Sequence, residues 1–345
     1  MRAAFLQRHG PPEVIEVGEL PTPEPGPGEV RVRVRASSLN HLDLWVRRGL
    51  RGLTLALPHV GGSDIAGEVD ALGPGAEGVE PGDRVVVDPS LGWRWHEGVR
   101  RSESPAGAHF RIIGEHVRGG LAEYAVVPIE NLLPLPDGVT FRKAAAASLV
   151  AVTAWRGLIT RGGLRAGERV LITGGSGGVA TMALQIALLA GAHVTVLTSG
   201  EENRQKLDAL GAHQVLDRHA GEVGELLRDA LRPFGGVDVV FDSVGEAIWP
   251  ALVRSLAPGG RLVCYGSTSG PQASIDLRHF FWKQLSVIGT TMGSPAEFRH
   301  AMRLVFDGQL DPMIHSVTGL EGVREGHRLL EDGQVFGKLV VEPGA

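Results

Sequence analysis

The sequence is poor in cysteine, since Cys264 is the only one among 345 residues. A single thiol excludes disulfide bonds within the chain and any zinc site built from several thiolates. The sequence also has no uninterrupted apolar run of about 18 residues, and Met1 to Gly10 lacks the apolar segment of a signal peptide. We therefore expect a soluble, cytoplasmic protein without a membrane partner.

An excess of positive charge is absent as well. The chain carries 39 acidic and 34 basic residues, a net charge of −5, so nucleic acid is not the expected partner. Hydrophobic residues make up 43% and charged residues 21%, which is typical of globular proteins and excludes a disordered chain. At about 150 residues per domain, the length predicts roughly two domains.

The N-terminal part of the sequence is rich in predicted strands. From Glu29 to Ala36, valine alternates with arginine, which indicates a strand with one buried face and one solvated face. Further strands separated by proline and glycine turns are predicted at residues 14–17, 65–71 and 84–87.

From about Gly167 onward, short apolar runs alternate with helical patterns, as in a parallel sheet buried on both faces. The predicted strands are residues 169–173, 193–198, 214–217, 237–242, 261–265 and 285–290, and the predicted helices are residues 179–190, 201–210, 221–231 and 247–256. Six strands with crossover helices predict an α/β fold with a doubly wound, Rossmann-type sheet.

A glycine-rich turn follows the first of these strands. Gly175, Gly177 and Ala180 fit the G-x-G-x-x-G/A spacing of dinucleotide-binding turns, in which backbone N–H groups and a helix N-terminus bind the pyrophosphate. The predicted cofactor-binding residues of this turn are Gly174, Gly175, Ser176, Gly177, Gly178 and Val179.

The end of the second strand of this region bears on which nicotinamide cofactor binds. An acid there binds the ribose 2′-OH of NAD, but this sequence has Thr198 and Ser199, with Arg204 nearby. Hydroxyl groups with a nearby arginine favour NADPH over NADH, and all three residues are predicted cofactor contacts. Two alternatives stay open: Glu201 or Glu202 reaches the ribose, or Arg204 is only a solvated helix residue.

Several short motifs together resemble a medium-chain dehydrogenase/reductase, the superfamily of zinc alcohol dehydrogenases and zinc-free quinone oxidoreductases. They are PGPGEV at 25–30, SLNHLD at 38–43, GSDIAGEV at 62–69, GDRV at 82–85, GLAEY at 120–124, TAW at 153–155, DSVG at 242–245 and FGKLVV at 336–341. The resemblance implies a GroES-like catalytic domain built from both chain ends around an inserted Rossmann domain, with the active site in the cleft between them. We expect boundaries at 1–125 for the N-terminal part of the catalytic domain, 126–285 for the Rossmann domain and 286–345 for the end of the Rossmann sheet and the return.

The same resemblance assigns positions in the active site. It places Asn40, Ser63 and Leu149 where relatives hold a catalytic zinc, Asp64 at the acid of the motif, and Thr153 against the nicotinamide. In the lobe that holds a structural zinc in relatives, the matching positions are Trp93, His96, Val99 and Gly107. Neither set is a good zinc ligand set, so we expect no zinc. Whether His96, His109 and His116 bind another metal stays open.

Without a Lewis acid, the chemistry favoured is reduction of quinones or activated alkenes, whose oxyanion or enolate is delocalised and needs only hydrogen-bond donors. Asn40 is the predicted donor, and a helix-capping role for Asn40 is the alternative. Asp43 and Asp64 are further candidates for catalysis. Neither Tyr124 nor Tyr265 sits in a motif position known for proton donation, which leaves water as the proton donor.

The resemblance also implies cofactor contacts at Ser243, Val244, Gly266 and Lys338, and a homodimer or homotetramer in which residues 285–290 form an edge strand. The favoured hypothesis is an NADPH-dependent, zinc-independent reductase of small quinones or enones. The alternatives are an enoyl-thioester reductase and a non-catalytic NADPH-binding sensor protein.

Overall fold

A computed structural model describes residues 1–50, 52–93 and 110–344. They form two compact units: Met1–Val150 together with Gly293–Ala345, and Ala151–Met292. The first unit therefore extends about 25 residues beyond the boundary expected at residue 125. The reason is strand pairing, because the segments Tyr124–Pro128 and Leu132–Pro134 both join the sheet of the first unit.

The strands are β1 (Arg2–Leu6), β2 (Ile15–Glu19), β3 (Glu29–Leu39), β4 (His59–Val60), β5 (Asp64–Leu72), β6 (Arg84–Val87), β7 (Ser90–Leu91), β8 (Arg111–Ile112), β9 (Tyr124–Pro128), β10 (Leu132–Pro134), β11 (Arg169–Ile172), β12 (His193–Thr198), β13 (Gln214–Asp217), β14 (Val237–Asp242), β15 (Leu256–Cys264), β16 (Ser286–Gly289), β17 (Ile314–Thr318) and β18 (Lys338–Val341). The helices are α1 (His41–Arg48), α2 (Phe141–Trp155), α3 (Gly178–Leu189), α4 (Glu201–Ala209), α5 (Val223–Leu231), α6 (Trp249–Ser255), α7 (Leu277–Trp282), α8 (Pro295–Phe306) and α9 (Val323–Glu331).

The main sheet of the first unit has the order β10-β6-β5-β3-β18-β17, and β9 also pairs with β3. The long strand β3 is its centre, with Val30, Val32 and Val34 buried, as the alternating pattern predicts. On one side β3 pairs with β5, and on the other it pairs with β18 from the C-terminal tail. The tail of the chain therefore lies in the same unit as the N-terminal segment.

The second unit is a six-stranded parallel sheet with the order β13-β12-β11-β14-β15-β16. All six strands predicted from the sequence are present. The central ones are short runs of apolar residues that the sheet buries; Val170, Leu171 and Ile172 of β11 are fully buried. The strand order reverses between β11 and β14, the point at which doubly wound sheets bind ligands. The predicted fold class is confirmed. Within the described ranges, none of the helices combines the length and apolarity needed to cross a bilayer.

Candidate active site

The register of the central sheet brings three polar side chains together in the first unit. In that register Ser38 pairs with Asp64, and Leu39 pairs with Leu339. Asn40 directly follows Leu39, so Asp64 on β5 and Lys338 on β18 approach it from the two neighbouring strands. All three side chains are buried. The Nζ atom of Lys338 donates to Oδ1 of Asn40 and, at 3.0 Å, to Oδ2 of Asp64.

The carboxylate of Asp64 is fully engaged in hydrogen bonds. Its Oδ2 accepts from the hydroxyl of Ser38 at 2.6 Å, from Nδ2 of Asn40 at 2.7 Å and from Lys338. Its Oδ1 accepts from the main-chain N–H of Leu149 at 2.8 Å. A buried carboxylate that accepts from four donors is held in one place, which suits orientation of its neighbours.

The three positions that the resemblance matches to the ligands of a catalytic zinc surround Asp64. Asn40 and Leu149 donate to its carboxylate, and Ser63 precedes it in the chain with a buried hydroxyl that has no partner within the described part of the chain. An engaged amide, a hydroxyl and an aliphatic side chain do not fit the nitrogen, sulfur and carboxylate ligands of zinc. Across the residues that the structure describes, no three His, Cys, Asp or Glu side chains come together as metal ligands would.

Asp43 holds the backbone around Asn40 in place. It lies in the first turn of α1 and accepts from the N–H of Asn40 and the N–H of Gly62, each at 2.8 Å. Burial raises the pKa of Asp43 to about 6, although these two N–H groups act in the opposite direction. Asn40 therefore occupies the N-cap position of α1, as the alternative interpretation had it, but its side-chain amide serves Asp64 and Lys338.

Two acids with raised pKa values in the first unit were not identified from the sequence. Burial raises the pKa of Asp88 to about 7, and the Oδ2 atom of Asp88 has no partner among the described residues. Burial, and then the charge of Asp43, raise the pKa of Glu115 to about 7. Neither acid lies in a recognisable motif, so only the tertiary environment identifies them.

In the second unit, the glycine turn has the geometry of a pyrophosphate cradle. Gly174 has φ +62°, and its carbonyl accepts from the N–H of Gly177 at 2.9 Å, which closes the turn before α3. A Cβ on Gly175 would lie 2.5 Å from Cγ1 of Val196, so this glycine permits close packing on β12. A Cβ on Gly177 would meet only the carbonyl of Gly174, at 3.3 Å, and this open face fits a phosphate group.

The remaining predicted cofactor residues of the second unit lie at the carboxyl ends of neighbouring strands. Thr173 after β11 donates to Asp242 at the end of β14 at 2.5 Å, and Asp242 also accepts from the N–H of Val244. A Cβ on Gly266 would lie 3.1 Å from Cβ of Ser243, so the turns after β14 and β15 touch. The structure therefore brings the predicted residues of these turns to the switch point of the sheet.

At the end of β12, Thr198 is buried and its hydroxyl has no protein partner in the described ranges, which fits a ribose contact. Arg204 is occupied, because it bonds Glu201 and, at 2.7 Å, Asp208 on its own helix. The bond to Arg204 is the main cause that lowers the pKa of Glu201 to about 2. The main-chain N–H of Arg218, a residue that the sequence pattern did not single out, donates to the carbonyl of Thr198 at 2.9 Å.

Three other predicted residues have different surroundings. Thr153 is buried on α2 in the second unit, whereas Lys338 lies in the first unit and bonds Asn40 and Asp64. In the lobe of the structural zinc, Trp93 is buried and meets Phe110 edge to face at 5.8 Å between centroids. The lobe positions His96, Val99, Gly107 and His109 lie outside the described residues.

Two family models match the chain. Residues 26–137 match the alcohol dehydrogenase GroES-like domain, and residues 178–307 match the zinc-binding dehydrogenase family. This chain belongs to the medium-chain dehydrogenase/reductase superfamily. The resemblance read from its motifs is confirmed, and the chain is an NAD(P)-dependent oxidoreductase of that superfamily.

Two relatives match this chain over nearly its whole length. A crotonyl-CoA reductase of Streptomyces avermitilis is 33% identical, over 96% of this chain and 83% of its own length. The human quinone oxidoreductase is 28% identical, over 99% of this chain and 97% of its own.

Solved structures share the fold over the same length. A structure described as an NAD-dependent alcohol dehydrogenase has a TM-score of 0.91 and 41% identity, and 99% of each chain is covered. A crotonyl-CoA carboxylase/reductase in complex with NADP has a TM-score of 0.87 and 27% identity, with 99% of this chain and 94% of that chain covered.

Proposed function

We propose that this protein is an NADPH-dependent reductase of quinones or conjugated enones that works without zinc. The observation that carries the proposal is the network of Asn40, Asp64 and Lys338. One member of this network, Asn40, stands at a position that the resemblance assigns to a catalytic zinc ligand, and the network offers a hydrogen-bond donor there and no metal ligand set. Asn40 is the donor in this proposal.

The residues match the demands of such a reduction. Bound NADPH supplies a hydride, and a proton from water completes the two-electron reduction of the substrate. During the reaction the substrate oxygen gains negative charge, and an N–H of Asn40 stabilises that charge by a hydrogen bond worth about 3 kcal/mol in a preorganised site. The oxyanions formed from quinones and enones are delocalised. They therefore need less stabilisation than the localised alkoxide formed from a simple ketone, for which this set of residues holds no Lewis acid.

The choice of NADPH is supported by the end of β12. No carboxylate occupies the position of Thr198, and the only acid paired across from it, Asp217, already accepts from the N–H groups of Gly200 and His219. Arg218 is exposed, follows Asp217 and has no side-chain partner in the described part of the chain. We propose that Arg218, rather than the occupied Arg204, binds the 2′-phosphate of NADPH.

An enoyl-thioester reductase is the second candidate, favoured by the identity of 33% with a crotonyl-CoA reductase over 96% of this chain. The chemistry at Asn40 is the same in both cases, because an enoyl thioester is also a conjugated carbonyl compound. The two candidates differ in whether the protein also binds the phosphates of coenzyme A.

A substrate screen with metal analysis tests the proposal. The purified full chain, treated with a chelator and checked for metal content, is assayed for NADPH oxidation with a small quinone, an enone and crotonyl-CoA. We expect turnover of the quinone or enone by metal-free protein. Turnover that appears only after zinc is added would refute the proposal, and a kcat/KM at least 100-fold higher for crotonyl-CoA would favour the second candidate.

We further propose that the protein forms a homodimer through β16. This strand is the edge of the Rossmann sheet, so its outer N–H and C=O groups have no strand to pair with in the second unit. Beside it in sequence, α7 leaves large apolar side chains in contact with solvent; Trp282 is 83% exposed and Phe281 66%. Exposed apolar surface next to an open strand edge is typical of an interface between subunits. A cytoplasmic location also stays a prediction.

A further inference from the structure

The side-chain amide of Asn40 has only one chemically acceptable orientation. Its Oδ1 faces the ammonium group of Lys338, and its Nδ2 lies 2.7 Å from the carboxylate of Asp64. If the amide were rotated by half a turn, its NH₂ group would face the ammonium and its carbonyl would face the carboxylate. Both contacts would then be repulsive, so the charged pair fixes which atom is the donor.

One N–H of the Asn40 side chain remains available to a ligand. One hydrogen of Nδ2 is used by Asp64, and no acceptor among the described residues takes the second. The carbonyl oxygen of Asn40 is covered by Lys338. Asn40 therefore presents its second N–H as a donor, while its carbonyl oxygen lies against a cation, which suits a carbonyl or oxyanion better than a hydroxyl group that must donate.

The charged pair is itself held by the sheet. Asp64 accepts from Ser38 and from the N–H of Leu149 in addition to its two partners in the network. Lys338 is the first residue of β18, whose pairing with β3 is set by Leu339 opposite Leu39. Neither charge can turn away from Asn40 without leaving buried polar groups unpaired.

We propose that Lys338 and Asp64 are positioning residues that lock the amide of Asn40 with its N–H available as the donor, and so make the site favour substrates that present an acceptor oxygen. Lys338 acts here through Asn40 and not through the phosphates of the cofactor. The kinetic consequence rests on the proposed reductase function, whereas the orientation of the amide does not.

The orientation is tested by NMR without any substrate. The chain has only three asparagines, Asn40, Asn131 and Asn203, so selective ¹⁵N-asparagine labelling gives three side-chain NH₂ pairs, and Asn40→Ala identifies the first. We expect Lys338→Met to shift the pair of Asn40 and to leave the pair of Asn131 unchanged. Lys143→Met is the matched control, because Lys143 forms an ion pair with Asp311 at the surface. An Asn40 pair that does not respond to Lys338→Met would overturn the inference.

The action through Asn40 is tested by a double-mutant cycle. We expect Lys338→Met to lower kcat about 10-fold with little change in the KM for NADPH. In an Asn40→Ala background the same substitution should change kcat less than about 2-fold. Equal effects in both backgrounds, or an effect confined to the KM for NADPH, would show that Lys338 is a cofactor residue instead.

Two further outcomes are informative. If Lys338→Met does not fold, Lys338→Arg replaces it in both experiments, since arginine keeps the charge but places it differently. Lys338→Arg should also shift the side-chain NH₂ pair of Asn40, and an unshifted pair would again overturn the inference.

If the wild-type protein reduces no quinone, enone or enoyl thioester, the proposed function fails, and the NMR comparison alone decides the orientation of Asn40.

Discussion

The ammonium group of Lys338 lies 3.0 Å from the carboxylate of Asp64, although the two residues are 274 positions apart in the sequence. The pair is buried, and each residue begins a strand next to β3. The tail of the chain thus supplies part of the candidate active site as well as a strand of the sheet.

Replacing Asn40 tests the proposed hydrogen-bond donor. We expect Asn40→Ala to lower kcat for quinone or enone reduction about 100-fold, because removal of one donor to an oxyanion has an effect of that order. Asn40→Asp, which replaces the donor by an acceptor of the same size, should be at least as harmful. Steady-state kinetics at saturating NADPH measure both effects, and a kcat within about 2-fold of wild type for Asn40→Ala would contradict the assignment.

Cofactor preference tests the assignment of Arg218. Arg218→Ala should lower kcat/KM for NADPH about 10- to 100-fold, the range expected for a charge-assisted hydrogen bond, and leave that for NADH unchanged. Arg204→Ala is the control, since Arg204 is already bonded to Glu201 and Asp208. If Arg204→Ala has the larger effect on NADPH, the interpretation made from the sequence is the correct one.

Because of Asp88, the free energy of unfolding is expected to fall as pH rises. Burial raises its pKa from a usual value of 3.8 to about 7, so between these pH values the folded protein holds a proton that the unfolded chain has lost. Each pKa unit corresponds to about 1.4 kcal/mol of unfolding free energy lost on raising the pH. Asp88→Asn keeps an acceptor for the N–H of Ser90 and cannot ionise. Its free energy of unfolding, relative to that of wild type, should therefore be higher at pH 8 than at pH 5.

Melting temperatures of both proteins at pH 5 and pH 8 measure this difference. Asp137→Asn serves as the control, because the side chain of Asp137 is fully exposed. A constant difference between Asp88→Asn and wild type across the pH range would mean that Asp88 does not titrate as a buried acid.

A charge on the open strand edge tests the proposed dimer. Val287 lies on β16 and is 41% exposed, so Val287→Arg should place a charge in the interface and shift the protein to monomers. Val317→Arg is the matched control, because Val317 is similarly exposed, at 39%, on the edge strand β17 of the other sheet. Sedimentation equilibrium gives the mass of each variant, and a Val287→Arg protein that keeps the wild-type mass would exclude this interface.

Much of the fold could be predicted from the sequence because its signals are local. Runs of buried valine, leucine and isoleucine between glycine turns specify the strands of the Rossmann sheet, and the spacing of Gly175 and Gly177 specifies the turn that precedes α3. A choice that depends on distant partners is less accessible to local patterns. Arg204 is close to Thr198 in sequence but its side chain bonds residues of α4, while the main chain of Arg218 lies next to Thr198 because β12 pairs with β13.

The sequence by itself determined that the chain has a glycine turn with the spacing of dinucleotide-binding turns, since this is a statement about residue identity and spacing, and its resemblance to the superfamily implied that Asn40, Ser63 and Leu149 stand at the positions of catalytic zinc ligands. Only the tertiary structure decided what surrounds Asn40. Contacts between residues hundreds of positions apart depend on strand order and register, which no local pattern encodes. The pairing of β3 with both β5 and β18 brings Asp64 and Lys338 to Asn40 and fixes the direction in which its amide donates.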